Sequence, residues 1–262
     1  MSGEKHLSYS SLSAFKKSPA AFIDYQLGFK EETDAMVYGG MVHCLVLEPG
    51  EFANRYYCID DSDICTQIGG AKPRATKQYK DWFAAETAGV GNRTIVETDD
   101  YKAAQIVAKN VRENKASSKI MALCPAREKK IDWEYLNFKF LGFKDADGEK
   151  DMFDLKTTTD ADPDKFQREI INRGYYLQAA MYLQAEGPRN YHIIAVDKKN
   201  GISVHQLHPK LIEYGLNEYH RLLTKFNECI LRDLWNENYD FWSPRWDGIF
   251  TMERPAYLYK YE

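Results

Sequence analysis

The chain has 262 residues, of which 44% are hydrophobic and 28% are charged, and its formal net charge is −4 at pH 7. The longest nearly apolar run, residues 41–47, is too short to span a bilayer, and residues 1–11 contain no apolar run of signal-peptide length. Five cysteines without a C-x-x-C pair argue against a disulfide framework or a structural zinc site. We therefore expect a soluble intracellular protein with a sizeable core, which could bind nucleic acid only through a local basic groove.

The first part of the chain is predicted to be mainly helical. Apolar residues recur at helical spacing in residues 8–28, with a break or restart at Pro19, and in 34–50, 77–89 and 99–114. Residues 51–73 show no clear hydrophobic period. Together with the overlapping basic segment 66–77, they predict an exposed basic loop.

After residue 118 the pattern changes to strands mixed with helices. Strands are predicted in residues 127–145, 151–157, 190–199 and 202–207, and helices in 162–174, 175–187 and 209–235. The order predicts one α/β domain over residues 1–262. Its predicted parts are a mainly helical N-terminal part (1–118), a sheet with helices (119–208), and a C-terminal helix with an aromatic tail (209–262).

An acid and a base interrupt the apolar strand in DMFDLKTT, residues 151–158. Asp154 and Lys156 lie two positions apart, so both side chains point to one face of the strand. Isolated buried charges are costly unless they are paired or bind a metal ion. Because D-x-K is short and common, this pair by itself favours an exposed hairpin with a salt bridge over a catalytic site.

A second carboxylate, Asp145, precedes Asp154 in the chain. The Asp147-Gly148 pair favours a tight two-residue turn, which would place Asp145 opposite Lys150 and roughly 13 Å from Asp154 at ~3.3 Å per residue. Two carboxylates that far apart cannot share a metal ion. A functional site therefore requires a wide loop over about 146–152.

Two carboxylates and a lysine can support Mg²⁺-dependent hydrolysis of a phosphodiester. Mg²⁺ prefers hard oxygen ligands and can polarise a phosphate while it generates hydroxide. A lysine beside it can position the water and offset the charge that develops on the phosphorus centre.

The arrangement resembles the PD-(D/E)xK nuclease superfamily, specifically its RecE-type, exonuclease VIII-like branch of phage and prophage exonucleases. GFKD (142–145) followed by FDLKTT (153–158) is similar to that branch's G-x-x-D and D-x-K-T pair. The resemblance implies a mixed central β-sheet flanked by helices. It also implies Asp145 and Asp154 as metal ligands, Lys156 as the catalytic lysine, and the main-chain carbonyl of Leu155 as a further ligand.

Two helical motifs extend the resemblance. GYYLQAAMYL (174–183) is similar to the branch's Q-x-x-x-Y helix, which implies that Gln178 and Tyr182 orient the lysine or touch DNA. GGMVHCLVLEP (39–49) is similar to its G-x-x-x-H helix, which implies that His43 binds or approaches the metal. In isolation both patterns are more typical of core helices. Gly39 is expected to leave room beside the His43 imidazole.

Three further features are weighed on the same resemblance. Glu128, in the acidic segment 128–135, is a candidate second-metal or DNA-end residue, although Asp132 and Glu134 compete with it. Residues 8–22 are similar to the N-terminal segment of RecB-like nucleases, but Ser18 stands where the iron–sulfur members have cysteine. Those members have three more cysteines near the C-terminus, whereas here only Cys229 lies in the C-terminal half. Because an iron–sulfur cluster needs four thiolates, we expect none here.

The implied function is a Mg²⁺-dependent exonuclease, with Mn²⁺ as a substitute, that degrades double-stranded DNA from 5′ to 3′ in the cytoplasm of a bacterial host. Such enzymes leave 3′ tails for a single-strand annealing protein and assemble as homo-oligomeric rings of three or four subunits. Candidate DNA contacts are Lys16, Lys17, Lys72, Arg74 and Lys77. The alternatives are an inactive DNA-binding or scaffolding protein with a nuclease fold, and a PD-(D/E)xK repair or adaptation nuclease of different polarity.

Overall fold

The computed structural model describes residues 6–29, 32–242 and 249–250. Its helices, in chain order, are α1 (Tyr9–Phe15), α2 (Pro19–Gln26), α3 (Asp34–Leu47), α4 (Phe52–Arg55), α5 (Ser62–Ile68), α6 (Lys77–Glu86), α7 (Thr98–Glu113), α8 (Lys115–Leu123), α9 (Pro163–Arg173), α10 (Tyr175–Glu186) and α11 (Pro209–Arg232). Its strands are β1 (Tyr56–Ile59), β2 (Thr94–Glu97), β3 (Ala126–Tyr135), β4 (Phe138–Asp147), β5 (Asp151–Thr158), β6 (Asn190–Asp197) and β7 (Ile202–Gln206). No helix in this part of the chain is both long and apolar enough to cross a bilayer.

The central sheet has five strands in the order β3-β4-β5-β6-β7. Neighbouring strands run antiparallel except β5 and β6, which are parallel. A parallel pair needs a long crossover connection, and α9 and α10 supply it. The small second sheet pairs β1 with β2 in parallel. The predicted mixed sheet flanked by helices is therefore confirmed, and β5 lies at its centre.

Helix starts follow the sequence signals. Ser8 caps α1 in a reciprocal capping box with Ser11, and the Ser18 side chain accepts a hydrogen bond from the N–H of Ala21 while Pro19 opens α2. The predicted restart of the helix at Pro19 is therefore confirmed. Gly174 ends α9 in the left-handed region with φ of 73°, as expected for a C-terminal glycine.

Residues 51–73 differ from the predicted exposed loop, because they contain β1 and α5. β1 has only four residues, and its partner β2 lies far along the chain, at Thr94–Glu97. A strand this short shows no measurable period, and a distant parallel partner leaves no local signal. Helix α8 was likewise not predicted, and the change of pattern placed at residue 118 falls inside it.

The sheet separates two hydrophobic clusters. One face packs against α1, α2, α10 and α11 and includes Met152, whereas the other packs against α3, α7 and α8 and includes Phe153 and Leu155. Side chains of β5 therefore alternate between the two clusters, as a pleated strand requires. Asp154 and Lys156 consequently point to the first face, towards α10.

The turn between β4 and β5 corrects a prediction. Ala146 pairs with Phe153 and Asp147 with Met152, and the N–H of Gly148 donates to the carbonyl of Asp151 at 2.9 Å. The turn is tight, so the wide loop predicted over 146–152 does not form. It is centred on Glu149-Lys150, two residues later than the Asp-Gly signal suggested, and this register brings Asp145 opposite Asp154.

Gly148 explains why the turn is displaced. A Cβ built on Gly148 would lie 2.0 Å from the carbonyl oxygen of Leu123, at the end of α8. The glycine is therefore required for close packing of the hairpin on α8, and it is not needed for a left-handed turn conformation. The preceding Asp147 side chain is held by the buried amino group of Lys144 at 2.7 Å and by Arg189 at 2.5 Å.

Candidate active site

Three acidic residues form a row across neighbouring strands. Glu128 on β3 lies opposite Asp145 on β4, because the residues on either side of it pair with Ala146 and Lys144. Asp145 in turn lies opposite Asp154 on β5, one position beyond the pair of Ala146 with Phe153. The competing acids Asp132 and Glu134 pair further along, with Leu141 and Lys139, and so lie away from this row. The structure therefore selects Glu128 among the three candidates on β3.

His43 reaches the same row from α3. Its Nε2 lies 3.0 Å from Asp145 Oδ2, and its Nδ1 lies 3.2 Å from Glu128 Oε1. One ligand atom from each of these three residues lies within 4.8 Å of the others, which is a geometry that could hold a metal ion. Glu128 has a φ of 47°, a strained value for a residue with a Cβ, and such strain is concentrated at functional sites.

Asp145 occupies a break in the regular alternation of β4. Lys144 contacts Glu186 of α10 on one face of the sheet, whereas Ala146, two residues later, belongs to the cluster on the other face. At this break the Asp145 Oδ2 accepts a hydrogen bond from the main-chain N–H of Leu155 at 2.7 Å. The carboxylate thus lies between β4 and β5, where it can meet groups from both sides of the sheet.

Asp154 and Lys156 are held together by Gln178 of α10. The Lys156 amino group lies 2.6 Å from Asp154 Oδ2. The Gln178 side chain donates to Asp154 Oδ1 at 2.9 Å and accepts from Lys156 Nζ at 3.1 Å. Gln178 is itself buried, so both charged groups are fixed in position. The predicted side-by-side pair therefore exists, with Asp154 buried and Lys156 half-buried, and it is not an exposed hairpin salt bridge.

Tyr182 lies one helical turn after Gln178 and packs on β4. Its hydroxyl donates to the carbonyl of Phe143 at 3.0 Å, and a Cβ on Gly142 would lie 2.7 Å from its ring. The glycine of the G-x-x-D segment therefore makes room for this ring beside the strand that carries Asp145. Tyr182 has no direct contact with Lys156 among the described hydrogen bonds.

Gly39 corrects another expectation. It was expected to leave room beside the imidazole of His43, but a Cβ on Gly39 would lie 2.8 Å from Thr157 Oγ1. The glycine instead allows α3 to approach β5 closely, which brings His43 on the same helix within reach of Asp145. Glu48 is the C-cap residue of α3 and pairs with Arg55 at 2.5 Å.

The charges of the site shift one another strongly. Burial raises the pKa of Asp154, and the nearby Asp145 charge raises it further, to about 6 despite the attraction of Lys156. Burial would also raise the pKa of Asp145, but His43, Lys156 and the Leu155 N–H together lower it. Burial opposes the charge on His43, yet the neighbouring carboxylates raise its pKa to about 9. Burial opposes the charge on Lys156 as well, yet Asp154 and Asp145 raise its pKa.

The donor set fits a divalent metal ion. Glu128 Oε1 and Asp154 Oδ2 are buried oxygens that accept no hydrogen bond in the described part of the chain, although each contacts a cationic side chain. Buried carboxylate oxygens in this state gain greatly from a cation. Carboxylates are the ligands that Mg²⁺ and Mn²⁺ prefer, and one imidazole is compatible with them. Binding through His43 would require the loss of its proton.

The five candidate DNA-binding residues lie in different settings. Lys16 is hydrogen-bonded to the Tyr176 hydroxyl and paired with Glu218, both at 3.0 Å. Arg74 is paired with two acidic residues, Asp61 and Glu97. The remaining three have exposed side chains: Lys17, Lys72 and Lys77. The described hydrogen bonds and ion pairs link none of the five to the acidic row.

Tyr175 is a site residue that the sequence reasoning missed. The Lys156 amino group lies over its ring, 4.8 Å from the centroid, which is a cation–π geometry. The available signal was the spacing, since Tyr175 and Gln178 are three residues apart on α10 and therefore share a face. Tyr175 and Gln178 thus contact Lys156 from the same helix.

Comparisons with known proteins agree with this fold. The model of a family described as "PDDEXK-like domain of unknown function (DUF3799)" matches residues 8–238. No curated protein matches the chain. A solved structure described as "Putative exonuclease" from Eubacterium rectale aligns with a TM-score of 0.58 and 14% identity, covering 98% of this chain and 93% of that one.

At that identity the likeness shows the fold alone. A second solved structure, SSO0001, aligns with a TM-score of 0.28 and 12% identity over 82% of this chain and 86% of that one, and it carries no argument. The family match, in contrast, covers most of the chain, including all four acidic and histidine residues of the cluster and Lys156. The chain therefore belongs to the PDDEXK-like domain family DUF3799 and has the PD-(D/E)xK nuclease fold.

Proposed function

We propose that this protein is a metal-dependent exonuclease that degrades double-stranded DNA from 5′ to 3′ and uses Mg²⁺, or Mn²⁺ in its place. The observation that carries the proposal is the row Glu128, Asp145 and Asp154, which is met by His43 from one side of the sheet and by Lys156 from the other. A half-buried lysine beside carboxylate oxygens that accept no hydrogen bond among the described residues suits phosphodiester hydrolysis.

Each residue has a role in this proposal. His43, Glu128, Asp145 and Asp154 would hold the ion, with the main-chain carbonyl of Leu155 as the further ligand implied by the resemblance. The ion would polarise the phosphate and lower the pKa of a bound water. Lys156 would hold the attacking water and offset the negative charge that develops on the phosphate, since its raised pKa keeps it protonated.

Gln178 and Tyr175 position Lys156. Gln178 fixes its amino group against Asp154, and Tyr175 covers it with an aromatic ring. Tyr182 does not contact Lys156 among the described hydrogen bonds. It supports the site indirectly, because it packs against β4, the strand that carries Asp145. Such preorganisation lowers the cost of arranging the charges during reaction.

The wider proposal includes partners. We propose a homo-oligomeric ring on duplex ends in a bacterial cytoplasm, with 3′ tails passed to a single-strand annealing protein. The exposed cations Lys17, Lys72 and Lys77 are the proposed phosphate contacts, together with Lys16 and Arg74 if DNA displaces their present partners. Most of the predicted aromatic tail, residues 243–248 and 251–262, lies outside the described residues.

Digestion of linear duplex DNA labelled at the 5′ or the 3′ end tests this function. We expect loss of label from the 5′ end with Mg²⁺, none with EDTA, and no attack on a circular duplex. Asp154→Asn is the matched inactive control, because it keeps the shape of the side chain. Loss from the 3′ end would overturn the polarity, and cleavage of the circle would overturn the exonuclease assignment. No cleavage with any divalent ion would overturn the enzyme and favour a DNA-binding role.

A further inference from the structure

A cavity of about 590 Å³ opens at the ends of the parallel strands β5 and β6, beyond the catalytic cluster. It begins at Thr157, the residue after Lys156, and does not include the acidic row itself. In open α/β sheets, ligands bind in the crevice at the carboxyl ends of parallel strands. Its lining comes from β5 and the residues after it, α3, α9 and the β6–β7 turn.

The lining is rich in cations although the whole chain carries a net charge of −4. Five basic side chains line it, against two acidic ones, Glu169 and Asp197. The basic residues are Lys165, Arg168, Arg173, Lys198 and Lys199. Asp197 is occupied by the main-chain N–H groups of Ala161, Lys199 and Gly201, so its charge is largely compensated.

Some of these cations already have partners. Lys165 pairs with Asp160 at 2.5 Å, and Lys198 with Asp100 at 3.3 Å. These pairs are exposed, and such pairs contribute little free energy and exchange readily. Arg168 and Lys199 are exposed and make no ion pair with any residue in the described part of the chain. The cavity therefore has cationic groups available to an anion.

Tyr38 supplies a second, independent observation. Its side chain lines the cavity and is only 5% exposed, yet its hydroxyl has no hydrogen-bond partner among the described residues. A buried hydroxyl without a partner is costly and calls for an explanation. The Lys198 amino group lies 4.0 Å from the centroid of the Tyr38 ring, so a cation and a residue with an unsatisfied donor are in contact on the cavity wall. An anionic oxygen that reached this pair would interact with both.

We propose that this cavity receives the phosphate groups of a single nucleic-acid strand that passes the catalytic centre. The inference rests on the proposed nuclease function, because it is the continuity of β5 that connects the two places. Thr158 lies on the same strand face as Lys156 and roughly 6.6 Å further along, at ~3.3 Å per residue. The strand would then lie across the three consecutive threonines 157–159, between α9 and the β6–β7 turn. Phosphate contacts of this kind position a strand without reading its sequence.

The test measures binding separately from cleavage. Binding of a fluorescent single-stranded oligonucleotide is followed by anisotropy against salt, with Ca²⁺ in place of Mg²⁺. The double variant Arg168→Ala/Lys199→Ala should bind at least ~10-fold more weakly at low salt, and the slope of log K against log[salt] should fall by about 1 to 2. The matched control Lys115→Ala/Lys210→Ala removes two exposed cations that do not line the cavity and should leave both quantities unchanged.

Tyr38→Phe provides the second variant. Because the Tyr38 hydroxyl has no hydrogen-bond partner among the residues that the structure describes, its removal should not lower the melting temperature, but it should weaken binding of the oligonucleotide. Unchanged binding in both Tyr38→Phe and the double variant would overturn the proposal. Equal competition by a mononucleotide or by inorganic phosphate would also overturn it, because the cavity would then be a site for a free phosphate. Digestion of duplex DNA by the wild type is scored independently, so failure of the cavity and failure of the nuclease are distinguishable.

Discussion

The Asp145 carboxylate accepts a 2.7 Å hydrogen bond from the main-chain N–H of Leu155. This bond lies where a strand-to-strand hydrogen bond would otherwise form, just beyond the last ladder pair of β4 and β5. The Asp145 side chain of β4 therefore accepts the hydrogen bond that a backbone carbonyl of β4 would otherwise accept from β5. The two strands are joined here through the carboxylate of the proposed metal site. The same oxygen lies 3.0 Å from His43 Nε2, so a single carboxylate oxygen links the strand pairing to the candidate cluster.

Lys156→Ala should remove DNA cleavage, with a loss of at least ~100-fold in rate, because the group proposed to offset the charge that develops on the phosphate would be lost. Gln178→Ala should give a smaller loss, since Lys156 keeps its contact with Asp154 at 2.6 Å and only its orientation is relaxed. The measurement is the initial rate of digestion of linear duplex DNA. Full activity of Lys156→Ala would reject the assignment of the lysine.

Metal binding by Glu128 can be distinguished from the effect of other acidic residues on β3. Glu128→Gln should weaken Mn²⁺ binding by about 10- to 100-fold or more, because its oxygen lies 3.2 Å from His43 in the candidate cluster. Asp132→Asn is the matched control, since Asp132 is exposed and lies opposite Leu141, away from the cluster. Mn²⁺ affinity is measured by calorimetry. An equal effect of both variants would show that long-range charge, and not ligation, is responsible.

Gly142→Ala should destabilise the protein by about 1–3 kcal/mol, because the new methyl group would lie 2.7 Å from the Tyr182 ring. Gly50→Ala is the control, since nothing lies within 4 Å of its added Cβ, and it should change the free energy of unfolding by less than ~0.5 kcal/mol. Denaturant unfolding measures both. In a Tyr182→Leu background the cost of Gly142→Ala should shrink, and an undiminished cost would point to another clash.

Asp197→Asn should lower stability at neutral pH more than in acid. Burial would raise the pKa of Asp197, but three main-chain N–H groups outweigh it and lower the pKa. The charged carboxylate therefore stabilises the fold above its unfolded pKa of about 3.9, and this contribution is lost as the pH falls through the lower folded pKa. Unfolding free energies of both proteins at pH 7, 5 and 3 check this. A difference that stays constant across that range would contradict it.

Much of the site could be predicted because its signals are local. The alternation of residues 151–157 alone placed Asp154 and Lys156 on one face, and the i, i+4 spacing placed Gln178 and Tyr182 on one side of a helix. The capping residues Ser8 and Ser18 accept hydrogen bonds from backbone N–H groups three residues later in the chain. Their signals are therefore also local in the sequence. The α/β class followed from the order of strands and helices, and the mixed central sheet from the resemblance to the PD-(D/E)xK superfamily.

The remaining part depends on contacts between segments that are distant in the chain. Turn chemistry at Asp147-Gly148 predicted the wrong register, because Gly148 is required by the approach of Leu123 and Asp147 by Lys144 and Arg189. Gly39 serves Thr157 rather than His43, and no local pattern could reveal that.

The sequence by itself determined which chemical groups are available and which face of each helix or strand carries them, since both depend on residue type and backbone period. Only the tertiary structure decided that Glu128, rather than Asp132 or Glu134, meets His43 and Asp145, and that Asp145 lies opposite Asp154. The physical reason is register. Moving the turn by two residues changes the register by four residues and displaces Asp145 by roughly 13 Å along its partner strand, at ~3.3 Å per residue, which is more than a metal ion can bridge. Packing between distant segments fixes that register.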